Sequence, residues 1–379
     1  MVDVGPLLEQ GPPGHSADRT RFGNPTTNAR ILNAVLRRQL VVTDLSETLA
    51  NRIARIYLAA GRDARSRMLA ALASGASPTG FSQVLRAAQL QSFIEVIRPI
   101  AEQLRGQVAQ EFQEFLGELW QAETQTGAAI FTRSIPQSIL NLVNVTRPPQ
   151  FLLDVANATV LGQSLDRWGR QAGERLLGEM GRELTQGFLQ GDRPRELADR
   201  VARVFDVSRA KAVLTARTAT QTISAQANAR LFEANQDLLT GVQFAATFDD
   251  RTCPVCGGLD GSVYFFRRSP SYDRRPQIPV HPHCRCVYVP MTRSWRDLGV
   301  AGLAEIPPGP RATMNGVAPG TLSFPGFMRQ NPQVANRVLG IRRAGLWRQG
   351  VFQLSDFRTD RTFREISLAS LLPGLRGAS

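Results

Sequence analysis

Cys253, Cys256, His281, His283, Cys284 and Cys286 bring together all four cysteines and two of the three histidines of this 379-residue chain. They read as C-P-V-C, a gap, then H-P-H-C-R-C. Thiolate and imidazole are the preferred ligands of a tetrahedral zinc ion. Two cysteines separated by two residues turn back onto a single ion, the usual spacing in structural zinc sites. Cys253 and Cys256 form one jaw, and two of His281, Cys284 and Cys286 form the other. The second half therefore offers more donors than one ion needs.

Other chemistries use the same residue types. Two disulfides are the alternative, since the cysteine count is even. The start of the chain, MVDVGPLLEQ, has neither a basic n-region nor an apolar h-region, and chains made in a reducing cytosol seldom hold structural disulfides. A redox C-x-x-C needs a strand–motif–helix context, which nothing around Cys253 suggests. A zinc deaminase needs H-x-E followed by P-C-x-x-C, the reverse of this order. A zincin needs H-E-x-x-H on a helix, and Pro282 opposes a helical histidine pair. No acid lies between Asp273 and His281–Cys286. The expectation is a structural ion, no catalytic residue and no enzyme.

Charge points to a partner. Lysine plus arginine number 45 against 32 acids, a net +13, and Lys211 is the only lysine. A GC-rich genome accounts for arginine replacing lysine but not for the surplus of positive charge. That surplus favours contact with a polyanion, nucleic acid before an anionic membrane. No apolar run reaches 18 residues, so a spanning helix is not expected.

The elements that must carry the cluster are mostly helical. Residues 1–27 read as an extended arm rich in glycine and proline, with His15 a solvated side chain. Residues 28–133 read as a helical domain. Ile31, Leu32, Val35, Leu36 and Leu40 repeat at helical spacing, and Thr43 or Asp44 caps a second run through Leu49, Ile53 and Tyr57 to Leu72. Gly75–Pro78 breaks the pattern, and Pro99 is expected to kink or divide the helix after Phe81. Residues 134–150 read as a linker and 151–240 as helices, with Glu196–Val204 and Ser208–Asn235 separate. The last carries a small-residue seam: Ala212, Ala216, Ala219, Ile223 and Ala227.

Residues 241–292 read as a small β module. Strands are expected at Val242–Phe248, Val263–Phe266 and Cys286–Pro290, with turns at Asp249–Arg251 and Gly257–Gly261. Asp249 and Asp250 are assigned to turn formation and pairing with Arg251 rather than acid–base work, since neighbours on a strand face opposite ways. Phe265-Phe266-Arg267-Arg268 with Tyr272 and Arg274-Arg275 suits stacking on a single strand but reads first as a solvated loop. Residues 293–379 read as a Gly/Pro linker, including Pro307–Pro310, and a C-terminal docking segment with one short helix. The fold expected is mainly α: a helical scaffold, a small zinc-clipped α+β module and extended terminal segments.

The stretch D-D-R-T-C-P-V-C-G-G-L-D-G (Asp249–Gly261) followed by H-P-H-C-R-C (His281–Cys286) resembles the minor head protein family of tailed bacteriophages, the Mu F-like or head-morphogenesis family. T-A-R-T (Thr215–Thr218), A-N-A-R-L-F-E-A-N (Ala227–Asn235), F-M-R-Q-N-P (Phe327–Pro332), V-L-G-I-R-R (Val338–Arg343), L-W-R-Q-G (Leu346–Gly350) and L-S-D-F (Leu354–Phe357) resemble it as well, over roughly residues 150–372. The resemblance places His281, Cys284 and Cys286 at the family's H-P-x-C-R-C positions and His283 at a variable one, leaving five donors for four places. It implies a structural protein of the virion, present in few copies near the portal vertex, made in the host cytoplasm. Its implied partners are the portal protein, other head proteins and packaged double-stranded DNA, with no membrane, in packaging or ejection of the genome. The apolar positions of Leu322–Leu372 are expected to dock on a larger partner. A zinc-dependent DNA-binding or DNA-processing protein is the alternative, though no recognition helix is legible.

Overall fold

The computed structural model describes residues 27–73, 83–135, 158–160, 162–266, 272–293, 311–313, 316–318, 322–357, 365–367 and 370. The arm through residue 26, Gly75–Pro78, most of the 134–150 linker, Arg267–Arg268 and Pro307–Pro310 lie outside them. Four long helices make the scaffold: α1 (Thr27–Ala73), α2 (Gln83–Ser134), α3 (Leu165–Gln190) and α4 (Pro194–Ala234). A two-residue hairpin, β1 (Thr159–Val160) and β2 (Gln163–Ser164), leads into α3.

One core runs through all four helices. Ile53, Met68, Ile97, Leu116, Met180, Leu184, Val201 and Ile223 are buried together in it. The stretches read as separate helical regions, 28–133 and 151–240, thus share their apolar faces. Three expected breaks are absent. α1 passes through Thr43 and Asp44, where the Thr43 hydroxyl donates to the Gln39 carbonyl instead of capping a new helix. α2 runs through Pro99, and α4 is continuous from Pro194 to Ala234. A proline removes one internal hydrogen bond, but Ile97, Ile100 and Ala101 around it are buried, so packing holds the helix together. The small seam of α4 is buried as expected, and α1 packs along α4 more extensively than any other pair of elements. Thr218, Thr220 and Thr222 are buried beside it and satisfy their hydroxyls on carbonyls four residues back.

The strand readings hold with shifted ends. β3 (Leu239–Ala245) is the centre of an antiparallel sheet, flanked by β4 (Val263–Phe265) and β5 (Val287–Thr292). Ile31 and Val35 of α1 pack on Ala245, Val287 and Val289. Phe131, Leu231 and Phe232 pack on Leu239 and Val242, so the sheet is fixed to the ends of α2 and α4. A short strand pair follows, β6 (Arg311–Thr313) with β7 (Gly316–Ala318).

The C-terminal region departs most from expectation. It forms three short helices, α6 (Phe324–Gln330), α7 (Pro332–Leu339) and α8 (Ile341–Arg348), and a 3-10 turn at Leu354–Phe357. One short helix is expected there; Pro325 and Pro332 occupy the first turns of α6 and α7, where a missing N–H costs nothing. The apolar positions expected to dock on a larger partner build an internal core instead. Phe324, Phe327, Val334, Leu339, Trp347 and Phe357 close around Phe248.

Candidate metal centre

The first jaw is the start of a short helix. The chain leaves β3, turns at Thr247–Thr252 and enters α5 (Pro254–Leu259) with Cys253 as its N-cap. The Cys253 sulfur accepts from the Cys256 backbone N–H at 3.3 Å, which brings both side chains to one end of the helix. The strand–motif–helix order not expected around Cys253 is therefore present, and Gly257-Gly258 lies inside a helix rather than a turn.

The second jaw is a tight turn in which the Cys284 N–H donates to the His281 carbonyl at 3.1 Å. His283 takes φ of 63° there and faces solvent; it belongs to neither donor group described below. His281 Nδ1 lies 2.6 Å from the Pro282 carbonyl, an acceptor, so Nδ1 carries the proton and Nε2 faces the sulfurs.

The jaws meet. His281 Nε2 is 3.1 Å from the Cys253 sulfur and 3.3 Å from that of Cys256, and the Cys256 and Cys284 sulfurs are 3.9 Å apart. Two groups of mutually close donors result, Cys253/Cys256/His281 and Cys256/Cys284/Cys286, with Cys256 in both. Tetrahedral zinc with ordinary bond lengths separates two sulfurs by about 3.8 Å and sulfur from nitrogen by about 3.6 Å. The three closest spacings differ from these values by about 0.1 to 0.5 Å, and the donors fall into two overlapping groups of three that share Cys256. All four cysteines are free thiols, so the disulfide alternative is not what the fold displays.

The donors shift one another's titration. Hydrogen bonding from the Cys256 side chain, then His281, pulls the Cys253 thiol down to about 5. Burial alone would lower His281, but its hydrogen bond to Cys253 and the nearby thiolates raise it to about 9. Hydrogen bonds from Cys256 and Cys286 hold Cys284 well below the usual thiol range. Cys256 is pushed up by donating to Cys253, Cys284 and Cys286. Cys253 and Cys284 are thus favoured as thiolates, while Cys256 and Cys286 are held as thiols and His281 as its cation, so the thiolate charge is balanced within the cluster by the imidazolium.

Two supports were not read from sequence. Asp249 accepts the Arg251 backbone N–H at 2.9 Å, but its charge partner is Arg285, set between the last two cysteines. Asp260, read as a turn residue, accepts from the Ala246 N–H with one oxygen and the Phe324 N–H with the other, both at 2.9 Å. It joins the end of β3 to the start of α6. Asp250 pairs with Arg337, whose hydrogen bond holds its carboxyl below the usual range. The signals were present as an acid four residues before the first cysteine and an arginine inside C-R-C.

Phe266 and Tyr272, read as part of a solvated loop, pack against the sheet core, with the Arg275 guanidinium 3.5 Å over the Tyr272 ring. No helix among the described residues is long and apolar enough to cross a membrane.

Residues 179–289 match the family model described as phage Mu protein F like protein. The matched stretch begins inside α3 and ends within β5, so it contains α4, the central strand and both jaws. It is narrower than the span suggested by the motifs and stops before the C-terminal helices. No curated protein and no solved structure matched the chain significantly.

Proposed function

From the premise that residues 179–289 are Mu F-like, and hence that the chain is a phage head or morphogenesis protein, we propose a minor head protein of the virion. It stands near the portal vertex, assists head assembly and genome packaging or ejection, and touches packaged DNA without reading its sequence. The observation that carries this reading is that the family match encloses the whole donor cluster. The charge surplus of the chain supports the DNA contact. Assembly takes place in the host cytoplasm, with the portal protein and other head proteins as partners and several copies per particle.

The ion is zinc, held by Cys253, Cys256, His281 and one of the two later cysteines, and its role is structural. It ties α5 to the turn before β5 across an intervening chain from 257 to 280, which contributes loop-closure stabilisation of about 3 kcal/mol. Asp249, four residues before Cys253, is engaged by Arg285 and by the Arg251 N–H, which suits a positioning role rather than proton transfer.

The direct test is a side-chain-resolution map of the assembled head. Density for this chain against the portal, with a tetrahedral ion at Cys253 and Cys256, is the expected result. Purified heads that lack the chain, or that carry it on the outer shell away from the portal vertex, would refute the placement.

A further inference from the structure

α6, α7 and α8 carry Arg329, Arg337, Arg342, Arg343 and Arg348 and no acidic residue. Two of these charges are matched, Arg337 by Asp250 and Arg343 by Glu365. The other three pair with no carboxylate among the described residues. The Arg329 guanidinium lies 5.4 Å from the centre of the Trp347 ring, Arg348 donates to the Asn336 amide oxygen at 3.3 Å, and Arg342 points to solvent. The scaffold helices differ in that each carries acidic residues beside its basic ones, some of them paired, as Arg170 with Asp166, Lys211 with Glu179, Arg217 with Glu47 and Arg65 with Asp199.

The outer face of α8 adds a second observation. Ile341, Arg342, Arg348 and Gln349 are exposed, Ile341 by 77%, and Gly345 sits among them at helical spacing. A glycine inside a helix costs about 1 kcal/mol relative to alanine. A Cβ at Gly345 would meet nothing within 4 Å, so no internal contact requires its absence. What the glycine leaves is bare helix surface between two unmatched arginines. A sugar–phosphate strand can approach there closely, with a guanidinium on either side. Arginine forks onto phosphate oxygens and keeps its charge in every environment.

We propose that the α6–α8 cap, through Arg342, Arg348 and Arg329, is the surface that grips the phosphate backbone of duplex DNA. The proposal rests on the DNA contact of the preceding reading and locates it outside both the family-matched stretch and the metal centre. The contact is sequence-independent, because the groups presented are cations on a short helix rather than an array of base-edge readers.

The test compares two variants of the full chain with equal charge change. Arg342→Glu/Arg348→Glu alters the cap, and Arg167→Glu/Arg182→Glu alters exposed positions on α3. Binding to a fluorescent duplex of arbitrary sequence is measured by anisotropy across a salt series. Thermal melts should coincide with the parent protein for both, since all four side chains are at the surface. The cap variant should lose about tenfold in affinity or more at low salt, and its log–log salt slope should fall by about 2. The α3 variant should change less than about threefold. Equal losses in both, or a loss in neither, would overturn the location while leaving DNA contact in place. If the parent protein fails to bind duplex at low salt, the DNA contact itself fails, and the cap would then suit an acidic protein surface.

Discussion

The Asp249 carboxylate and the Arg285 guanidinium meet through two hydrogen bonds of 2.5 and 2.7 Å. Asp249 precedes the first cysteine pair and Arg285 separates the last two cysteines, so this contact joins the jaws beside the donors themselves. Both side chains are largely buried, 20% and 17% exposed for Arg285 and Asp249. The Thr247 hydroxyl reinforces the link by donating to the Arg285 carbonyl at 3.1 Å. The jaws are thus held in register by groups that do not bind the ion.

Replacing Asp249 with Asn tests that arrangement without removing a donor. The charge-assisted pair is lost, at a cost of about 2 kcal/mol. Because outer partners orient the donors, zinc affinity should drop by about tenfold or more. Competition with a chromophoric chelator reads the affinity and thermal melting reads the stability. Unchanged affinity would show that the jaws align without the pair.

Cys256 belongs to both donor groups, whereas Cys284 and Cys286 belong only to the one without His281; of these two, Cys284 has its sulfur 3.9 Å from that of Cys256, which favours it as the fourth ligand. Cys256→Ser should therefore leave almost no zinc on the protein in native mass spectrometry. Cys286→Ser should keep one ion per chain while losing about 1–3 kcal/mol, because a hydroxyl replaces a buried thiol packed against Phe244 and Val255. The opposite pattern, zinc lost in Cys286→Ser and kept in His281→Ala, would identify a four-cysteine site.

The gathering of these cysteines and His281 in one place was legible because both residue types are rare and their spacing carries chemistry directly. Strands β3, β4 and β5 were legible from alternation, with ends wrong by a few residues, since ladder limits are set by partners rather than by local preference. The long helices were recognised but over-divided at Thr43, Pro99 and Ser208. Each local break signal there is outweighed by burial against another helix, which a local pattern does not contain. The C-terminal cap was misread because the same apolar residues serve a partner or a private core equally well. Phe248 and the Gly257-Gly258 pair decide for the core, and both lie far away in sequence.

Gly257 shows how that core closes. A Cβ there would stand 2.4 Å from Cδ1 and 2.7 Å from Cε1 of Phe324, a ring fully buried in the cap. At Gly258 it would stand 2.9 Å from the backbone carbonyl of Leu354. Gly257→Ala should force α6 away from α5 and destabilise the fold by about 1–3 kcal/mol, as overpacking does. Limited proteolysis should then cut sooner within residues 322–357 while the zinc content stays at one per chain. Equal cleavage rates in variant and parent would mean that the cap does not depend on this contact.

Deep in the scaffold, Glu123 of α2 joins Arg38 of α1 at 2.5 Å and accepts from Ser224 and Asn228 of α4 at 2.7 and 3.3 Å. Both charged side chains are nearly inaccessible, and the second terminal nitrogen of Arg38 has no partner. Desolvating two ions offsets most of their attraction, so the pair adds little net stability while it is intact. Breaking one side is another matter, because it strands the arginine charge. Glu123→Gln keeps the shape and an acceptor for Ser224, yet should cost about 3–5 kcal/mol in urea denaturation. The double variant Arg38→Met/Glu123→Gln removes the stranded charge and should recover most of that loss. If the single variant unfolds at the parent's midpoint, or the double variant is weaker than the single, the three helices are not joined by this buried charge.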